Sequence, residues 1–425
     1  MKRREFIKNS LLAAAGTAFL TACSGKEEKP KKKTQGGKVL TRKFQNLEIP
    51  LLSMGCMRLP TQNGQIDMPH FERMVEYAMT HGVNYFDTAY MYHGGESENA
   101  VGRVLSNYKR ENFFLATKNP LYSLTSKEDV RRIFEEQLKK CRVDYFDFYL
   151  AHNISERTVD NYRNFEVFEQ MEKFKQEGKV RHVGFSYHGG PELLATVAPE
   201  HPWEFCQIQL NYLDWITPNT AKEGNPYAAK NVKDNYDVLT KAGIPVLPMT
   251  PLRGGALTSL TGSAKAVIER EAPQDTQASF GLRWVSGREN CFTVLSGMSS
   301  MTQLEENVET FTNFRPFTEE ENKTAQKVAD ILHSHGEINC TTCNYCYECP
   351  RGIAIPAIFL MYNEYKASGD TEAFIKKYDA LNDRYKADKC IHCNLCNANC
   401  PQLLDIPTLL DGVRDTVANL KKGVK

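Results

Sequence analysis

From about Val39 to Phe314 the chain alternates short apolar runs with longer stretches whose apolar residues recur at helical spacing. Leu51–Cys56, Asn84–Phe86, Phe113–Thr117, Phe146–Ala151, Val180–Phe185, Phe205–Leu210, Pro245–Met249 and Phe292–Ser296 read as strands, being short, apolar and rich in β-branched and aromatic residues. Between them, Phe71–Thr80, Glu98–Ser106, Lys127–Lys140, Val159–Gln176, Val232–Lys241 and Gln277–Val285 read as amphipathic helices. Strand–helix alternation carried through eight strands predicts an α/β fold, a (β/α)8 TIM barrel rather than an open sheet. Lys38 to Ile49, turning at Gln45-Asn46, predicts a strand–turn–strand cap for the barrel's base, and Glu319 to Ser334 a connecting helix. No G-x-G-x-x-G follows the first strand, which disfavours a doubly wound dinucleotide fold.

Charge is balanced, with 53 basic and 52 acidic residues, so nothing suggests a nucleic-acid partner. The cysteines change the picture more. Of 13, eight lie in two runs near the C-terminus, Cys340-x2-Cys343-x2-Cys346-x2-Cys349-Pro350 and Cys390-x2-Cys393-x2-Cys396-x3-Cys400-Pro401. Cys-x2-Cys pairs also bind zinc, but runs of four ligands closed by proline fit iron–sulfur chemistry better. The layout resembles a two-cluster bacterial ferredoxin module, in which three thiolates of one run and the last of the other hold each [4Fe–4S] cluster. That resemblance implies Cys340, Cys343, Cys346 and Cys400 for one cluster and Cys390, Cys393, Cys396 and Cys349 for the other. Spacing alone also allows all four of the first run to hold one. Either way one-electron transfer is implied. A small ferredoxin-like iron–sulfur domain with helices is thus expected over 339–425, after a barrel at 39–315 and a linker helix at 316–338. Cys141, Cys206 and Cys291 fall in apolar or helical surroundings and read as core thiols.

The N-terminus reads as an address. Arg3-Arg4-Glu5-Phe6-Ile7-Lys8 is a twin-arginine run, and the apolar stretch Ser10 to Ala22 is too short for a permanent span. Leu20-Thr21-Ala22-Cys23 resembles a bacterial lipobox, which implies a signal peptide at 1–23, a lipid anchor at Cys23 and a Lys-rich tether at 24–38. Several acyl chains on one residue hold a protein to a membrane where a single chain is marginal. The expectation is a lipoprotein on the periplasmic side, exported folded by the twin-arginine route.

Barrel chemistry gathers at the C-terminal ends of strands. Those ends carry, in order, Asp87, Lys118, His152, Ser186 and Gln209, and Tyr92 follows Asp87 by five residues. Across Val39 to Phe314 the segments "VNYFDTAYMYHGGESENAVGRVL", "FFLATK", "DYFDFYLAHN", "GKVRHVGFS", "IQLNY", "PLRGGALT" and "VLSGMSSMTQLEENVETF" resemble, in order, the aldo/keto reductase superfamily. With the cysteine-rich tail the chain resembles the bacterial branch that carries C-terminal clusters. The resemblance implies a catalytic tetrad of Asp87, Tyr92, Lys118 and His152, with Tyr92 as proton donor to a developing alkoxide. A tyrosine titrates near 10, and the ammonium of Lys118 is expected to lower that value for Tyr92. Asp87 would hold Lys118 charged, and His152 would orient the substrate oxygen.

The resemblance further implies that Ser186 and Gln209 face the nicotinamide carboxamide, with Cys56 and Met57 near its ribose. Pro251, Leu252, Arg253 and Gly254 would wrap the pyrophosphate, and Gly297, Ser299, Gln303, Glu306 and Asn307 the adenosine end. Gly297 and Gln303 stand where NADPH-dependent members often place a lysine and an arginine, so the cofactor, NAD(P), leans to NAD. Tyr212–Ala229 with Trp215, His93-Gly94 and Tyr187-His188 are expected to shape a pocket for a carbonyl or alcohol, a sugar among them. The function implied is hydride transfer coupled to electron transfer through two clusters and on to a redox partner. The alternative is an exported iron–sulfur carrier whose barrel serves as a docking scaffold.

Overall fold

The structure, a computed structural model, describes residues 37–215, 232–346, 349–400, 402 and 404–423. The signal peptide, Cys23, most of the tether and residues 216–229 of the expected substrate loop lie outside them. Among the described residues no helix is long and apolar enough to cross a membrane.

All eight expected barrel strands form: β1 (Leu52–Gly55), β2 (Tyr85–Asp87), β3 (Phe114–Pro120), β4 (Phe146–Ile154), β5 (Val180–Tyr187), β6 (Phe205–Gln209), β7 (Val246–Met249) and β8 (Val294–Ser296). Their hydrogen-bonded order is β7-β6-β5-β4-β3-β2-β1-β8, and the ladders are parallel. A parallel bridge between Val246 and Cys291, with Phe292 N–H donating to the Val246 carbonyl at 3.2 Å, closes the ring on its eighth side.

The pleat explains which residues meet at the centre, because side chains alternate across a strand. Tyr85, Ala116, Phe148, Leu150, Phe205, Leu247 and Leu295 fill the interior, while Phe86, Leu115, Tyr149, Cys206 and Val246 face the surrounding helices. The hairpin Thr41–Phe44 with Leu47–Pro50 closes the base, Gln45 taking the left-handed turn conformation at φ 52°. Its Phe44 packs into the interior with ring centroids 4.5 Å from Phe292 and 5.5 Å from Phe148. With the bottom filled by aromatics, the top layers are left to Asp87, Lys118, His152 and Gln207.

Val159–Gln176 is not one helix. It breaks into Val159–Asn164 and Val167–Gln176 at Glu166, which is left-handed at φ 49°. Glu319–Ser334 forms as expected, with a capping box from Thr318 and Glu321. It packs Ala325, Val328, Ala329 and Leu332 into the barrel's own core, and the buried Arg283 ties it down through Glu321. The cysteine-rich region builds a second, separate core around helices Ile355–Ser368, Thr371–Asp379 and Ile406–Lys421, with Cys346, Cys396 and Cys400 buried in it.

Candidate active site and cysteine centres

At the top of the barrel the Lys118 Nζ, fully buried, donates to Asp87 Oδ1 at 2.5 Å and to the Thr88 carbonyl at 2.7 Å. The same ammonium stands 5.0 Å from the centre of the Tyr92 ring, and that ring meets His152 edge-on at 6.1 Å. The four residues named from the sequence are therefore neighbours. Behind them, Glu98 accepts from Thr117 Oγ1 at 2.6 Å and Gln137 Nε2 at 2.7 Å, and Ser97 Oγ donates to the Cys56 carbonyl at 2.9 Å. This buried network locks helix Ser97–Leu105 to the ends of β1 and β3. His152 is aimed by a register shift in β4 between Ala151 and Ile154, where Asn153 is left-handed at φ 68°.

One expectation about this group fails. The Tyr92 phenol is pushed well above the ordinary tyrosine value, first by burial and then by Tyr345, Asp87, Tyr122 and Cys56. The Lys118 charge is committed to Asp87 and the Thr88 carbonyl, so it does not make the phenol acidic in this arrangement. Burial also lifts the Asp87 carboxyl, against the opposing pull of Lys118, and holds His152 far below 6.5, with Lys118 adding to the effect. At neutral pH the site thus presents a protonated phenol and a neutral imidazole.

A cleft of about 570 Å³ runs from this group across the barrel mouth. It is lined by Asp87 and Tyr92 at one end and reaches Met57, Pro251, Leu252, Gly254, Gly297, Ser299, Gln303, Glu306 and Asn307. These nine include most of the residues expected to hold a dinucleotide, and the long cleft with a glycine-bordered middle fits such a ligand.

Four of the expected contacts are corrected. Gln209 does not reach the cleft; its Nε2 donates to Asp214 Oδ2 at 2.5 Å, while Gln207, one layer deeper on the same face of β6, lines the cleft and approaches Asp87 Oδ2 at 3.4 Å. Ser186 is buried, its Oγ accepting the Asn153 N–H at 2.7 Å, and so holds the shifted end of β4. Cys56 is fully buried in the core, which drives its thiol pKa up. Arg253 turns away: it is 2% exposed, bonded to Asn339, and faces Asp214 at 3.4 Å and Glu337 at 4.0 Å. An arginine in the "PLRGG" stretch reads as an anion binder, but here the second domain takes it.

The sequence reading also missed Arg58 and Tyr345. Arg58 lines the cleft and donates to the Thr341 and Thr342 carbonyls at 2.9 and 3.3 Å. Tyr345, from inside the first cysteine run, hydrogen-bonds the Tyr92 phenol. No local pattern marks either; both contacts join residues far apart in the chain. Cys343 itself lines the cleft, so the first cysteine loop forms part of the barrel's mouth.

The cysteines gather in two fours. Cys346 is within electrostatic reach of Cys340, Cys343 and Cys400, and Cys396 of Cys349, Cys390 and Cys393. Cys349, Cys390, Cys393 and Cys396 line one small cavity. Cys349 is thus placed with the second run and away from its own. Among the described residues no three His, Cys, Asp or Glu side chains converge on a single ion position. Both loops share a conformation: Thr342 and Asn344 after Cys340, and His392 and Asn394 after Cys390, are all left-handed, at φ 51°, 65°, 52° and 63°. Non-glycine residues adopt this region at a cost. Repeating it at equivalent positions wraps each loop's N–H groups and thiols around a common centre, and Thr342 N–H already points to Cys340 Sγ at 3.4 Å. Four thiols around each such loop fit a [4Fe–4S] cluster.

Residues 51–330 match the Aldo/keto reductase family and residues 339–405 the 4Fe-4S dicluster domain. The chain is 26% identical over 306 residues to L-galactose dehydrogenase of Arabidopsis thaliana, covering 67% of this chain and 91% of that protein. It is 26% identical over 302 residues to the NADH-specific methylglyoxal reductase of Escherichia coli, covering 59% and 85%. Among solved structures, the holo form of aldo-keto reductase AKR11C1 from Bacillus halodurans superimposes with a TM-score of 0.55 at 24% identity, over 69% of this chain and 96% of that one. An aldo-keto reductase from Klebsiella pneumoniae in complex with NADPH does so at 0.54 and 18% identity, over 69% and 95%. A closed ring of parallel strands with a polar mouth defines a (β/α)8 barrel whose site lies at the C-terminal ends of the strands. The chain belongs to the aldo/keto reductase family, with a C-terminal 4Fe-4S dicluster domain.

Proposed function

We propose that the protein transfers a hydride between a carbonyl or alcohol substrate and a nicotinamide dinucleotide, coupled to one-electron transfer through two [4Fe–4S] clusters. The observation that carries this reading is the approach of the Lys118 ammonium to the Tyr92 ring, 5.0 Å away, at the head of the cleft. Tyr92, protonated at neutral pH, holds the proton that an alkoxide needs, and the neutral His152 beside it can donate a hydrogen bond to the substrate oxygen. Met57, Gln207 and the 251–254 turn would bind the dinucleotide, and Gln303 and Asn307 its far end. When bound, the nicotinamide supplies or accepts the hydride. Cys340, Cys343, Cys346 and Cys400 would hold one cluster, and Cys349, Cys390, Cys393 and Cys396 the other. A hydride moves two electrons together and each cluster takes one, so this coupling requires a carrier of flavin class between nicotinamide and clusters.

NAD fits the far end of the cleft better than NADP. Gly297 brings no charge there, Gln303 accepts from Ser299 N–H at 2.8 Å, and Arg253 is committed elsewhere. A 2′-phosphate would therefore meet no guanidinium from these positions, and Arg58, which lines the cleft beside Gly297, is bonded to the Thr341 and Thr342 carbonyls. The relative named as NADH-specific is in line with this preference. Export by the twin-arginine route and a lipid anchor at Cys23 complete the reading, because folded export delivers clusters already assembled. Cys23→Ser should move the protein from the membrane fraction to the soluble one.

A second reading makes the barrel a scaffold for an iron–sulfur carrier, and Tyr345 lying against Tyr92 speaks for it. Tyr92→Phe separates the two. The enzyme reading expects turnover of a carbonyl or alcohol panel to fall about 10²–10⁴-fold with an unchanged visible spectrum. Unchanged turnover or redox cycling in that variant would leave only the carrier.

A further inference from the structure

Three arginines of the barrel reach into the cysteine-rich domain, two of them to the loop of the first cysteine run and the third to the backbone between Cys396 and Cys400. Arg58 donates to the carbonyls of Thr341 and Thr342 and to Thr342 Oγ1, between Cys340 and Cys343. Arg157 donates to the carbonyls of Asn397, Ala398 and Cys400. Arg253 bonds Asn339, next to Cys340.

They differ in what balances their charge. Arg253 has Asp214 and Glu337 beside it. Among the described residues, Arg58 and Arg157 bond only to carbonyls and a hydroxyl, and no carboxylate pairs with either. Arg58 is the more enclosed, half-buried where Arg157 is exposed. A half-buried guanidinium with no carboxylate, as at Arg58, is favoured where an anion lies close. The thiolate-bound centre that the first set would hold is such an anion. The second set's unpaired cation is solvent-exposed, where water screens it. The set's cationic neighbours are Arg351, exposed on the rim of the cavity, and Lys389, paired with Asp388, while Cys393 is exposed to solvent.

Net charge near a cluster and hydrogen bonding around its sulfurs tune its reduction potential. Reduction adds one negative charge, and an unneutralised cation nearby favours the reduced form. We propose that Arg58, seconded by Arg157, sets the reduction potential of the cluster held by Cys340, Cys343, Cys346 and Cys400 above that of the cluster held by Cys349, Cys390, Cys393 and Cys396. The better electron acceptor of the pair then stands on the catalytic side, where Cys343 borders the dinucleotide cleft. This inference rests on the dicluster reading above, but not on substrate turnover.

The test is a redox titration of the anaerobically purified full-length protein, followed by electron paramagnetic resonance and without substrate. The wild type should show two one-electron waves. Arg58→Gln should carry the higher wave to lower potential and leave the lower wave in place. Arg58→Lys, which keeps the charge, should leave both in place, and Arg157→Gln should move the higher wave by less than Arg58→Gln does. Iron content and far-ultraviolet dichroism equal to wild type confirm that a variant is folded and loaded. An Arg58→Gln protein whose waves do not move, or whose lower wave moves, overturns the proposal. So does one that loses only dinucleotide affinity, which would make Arg58 a cofactor ligand. A wild type without clusters defeats the dicluster reading itself. The expected shifts in a protein whose wild type turns over no carbonyl or alcohol defeat only the enzymatic one.

Discussion

Lys118 illustrates how burial decides the role of a charge. A lysine with no exposed surface is tolerable because Asp87 and the Thr88 carbonyl accept its hydrogen bonds, and that commitment leaves the Tyr92 phenol under the control of burial. The same ammonium acts on the opposite side. Burial first and Lys118 second pull His188 down to about 4. In the unfolded chain a histidine titrates near 6.5, so between about pH 6.5 and 4 the unfolded state binds the proton that the native state refuses. Stability contributed by a neutral His188 is complete above that window and drains away as the pH falls through it, by up to about 3 kcal/mol. His188→Gln should flatten this part of the acid limb when chemical denaturation is followed from pH 7 downward. An acid limb of unaltered slope would show that His188 is not held neutral. Asp87, Lys118 and His152 were legible in the sequence because each sits at a strand end on the inward pleat, and Tyr92, in the turn after Asp87, through its spacing in the family motif. Gln207 was not, because Gln207 and Gln209 share that pleat and alternation cannot tell depth along a strand.

Among elements, the hairpin at the base has the clearest mechanical task. Its Phe44 stands among Phe148, His182, Phe205 and Phe292 and fills the space between them. Truncating a buried phenylalanine costs about 3–5 kcal/mol, part transfer and part cavity. Phe44→Ala should therefore lower the barrel's unfolding free energy by about that much, read by chemical denaturation, with the visible spectrum of the cysteine domain unchanged. A loss under about 1 kcal/mol would mean the base closes without it. Elements with one apolar face were readable from the sequence, and Glu319–Ser334 was read to the residue. Helix Ile355–Ser368 was not, since Ile355, Ile358, Phe359, Leu360 and Met361 spread its apolar residues around much of the cylinder and blur the period. The kink at Glu166 also escaped, because the apolar spacing runs on through a residue whose backbone is left-handed.

At the scale of the whole molecule, the barrel and the cysteine domain share a surface but not a core. The domain's buried residues form a cluster of their own, and Cys346, Cys396 and Cys400 are among its members. Contact with the barrel runs through polar clasps, Arg58, Arg157 and Arg253, and one tight approach at Gly254. That glycine has φ +69°, and a Cβ there would stand 2.1 Å from the Thr341 carbonyl oxygen. The sequence did not reveal this docking, because it joins residues from 86 to 284 positions apart that carry no shared pattern. A domain this small, with cysteines in place of part of its apolar core, depends on its bound groups for stability. Stripping the iron with an oxidant and a chelator should unfold 339–423 while the barrel, with its separate core, stays intact. Calorimetry of the loaded protein should then give a transition that splits on stripping, and limited proteolysis should cut the stripped chain after Ser334 and spare 39–334. The Tyr345 phenol would leave Tyr92 with the domain, so quenching of tyrosine emission at that contact should be relieved. A stripped protein that melts in one step and resists protease throughout would show that the polar clasps alone hold the domain folded, independent of what its cysteines bind.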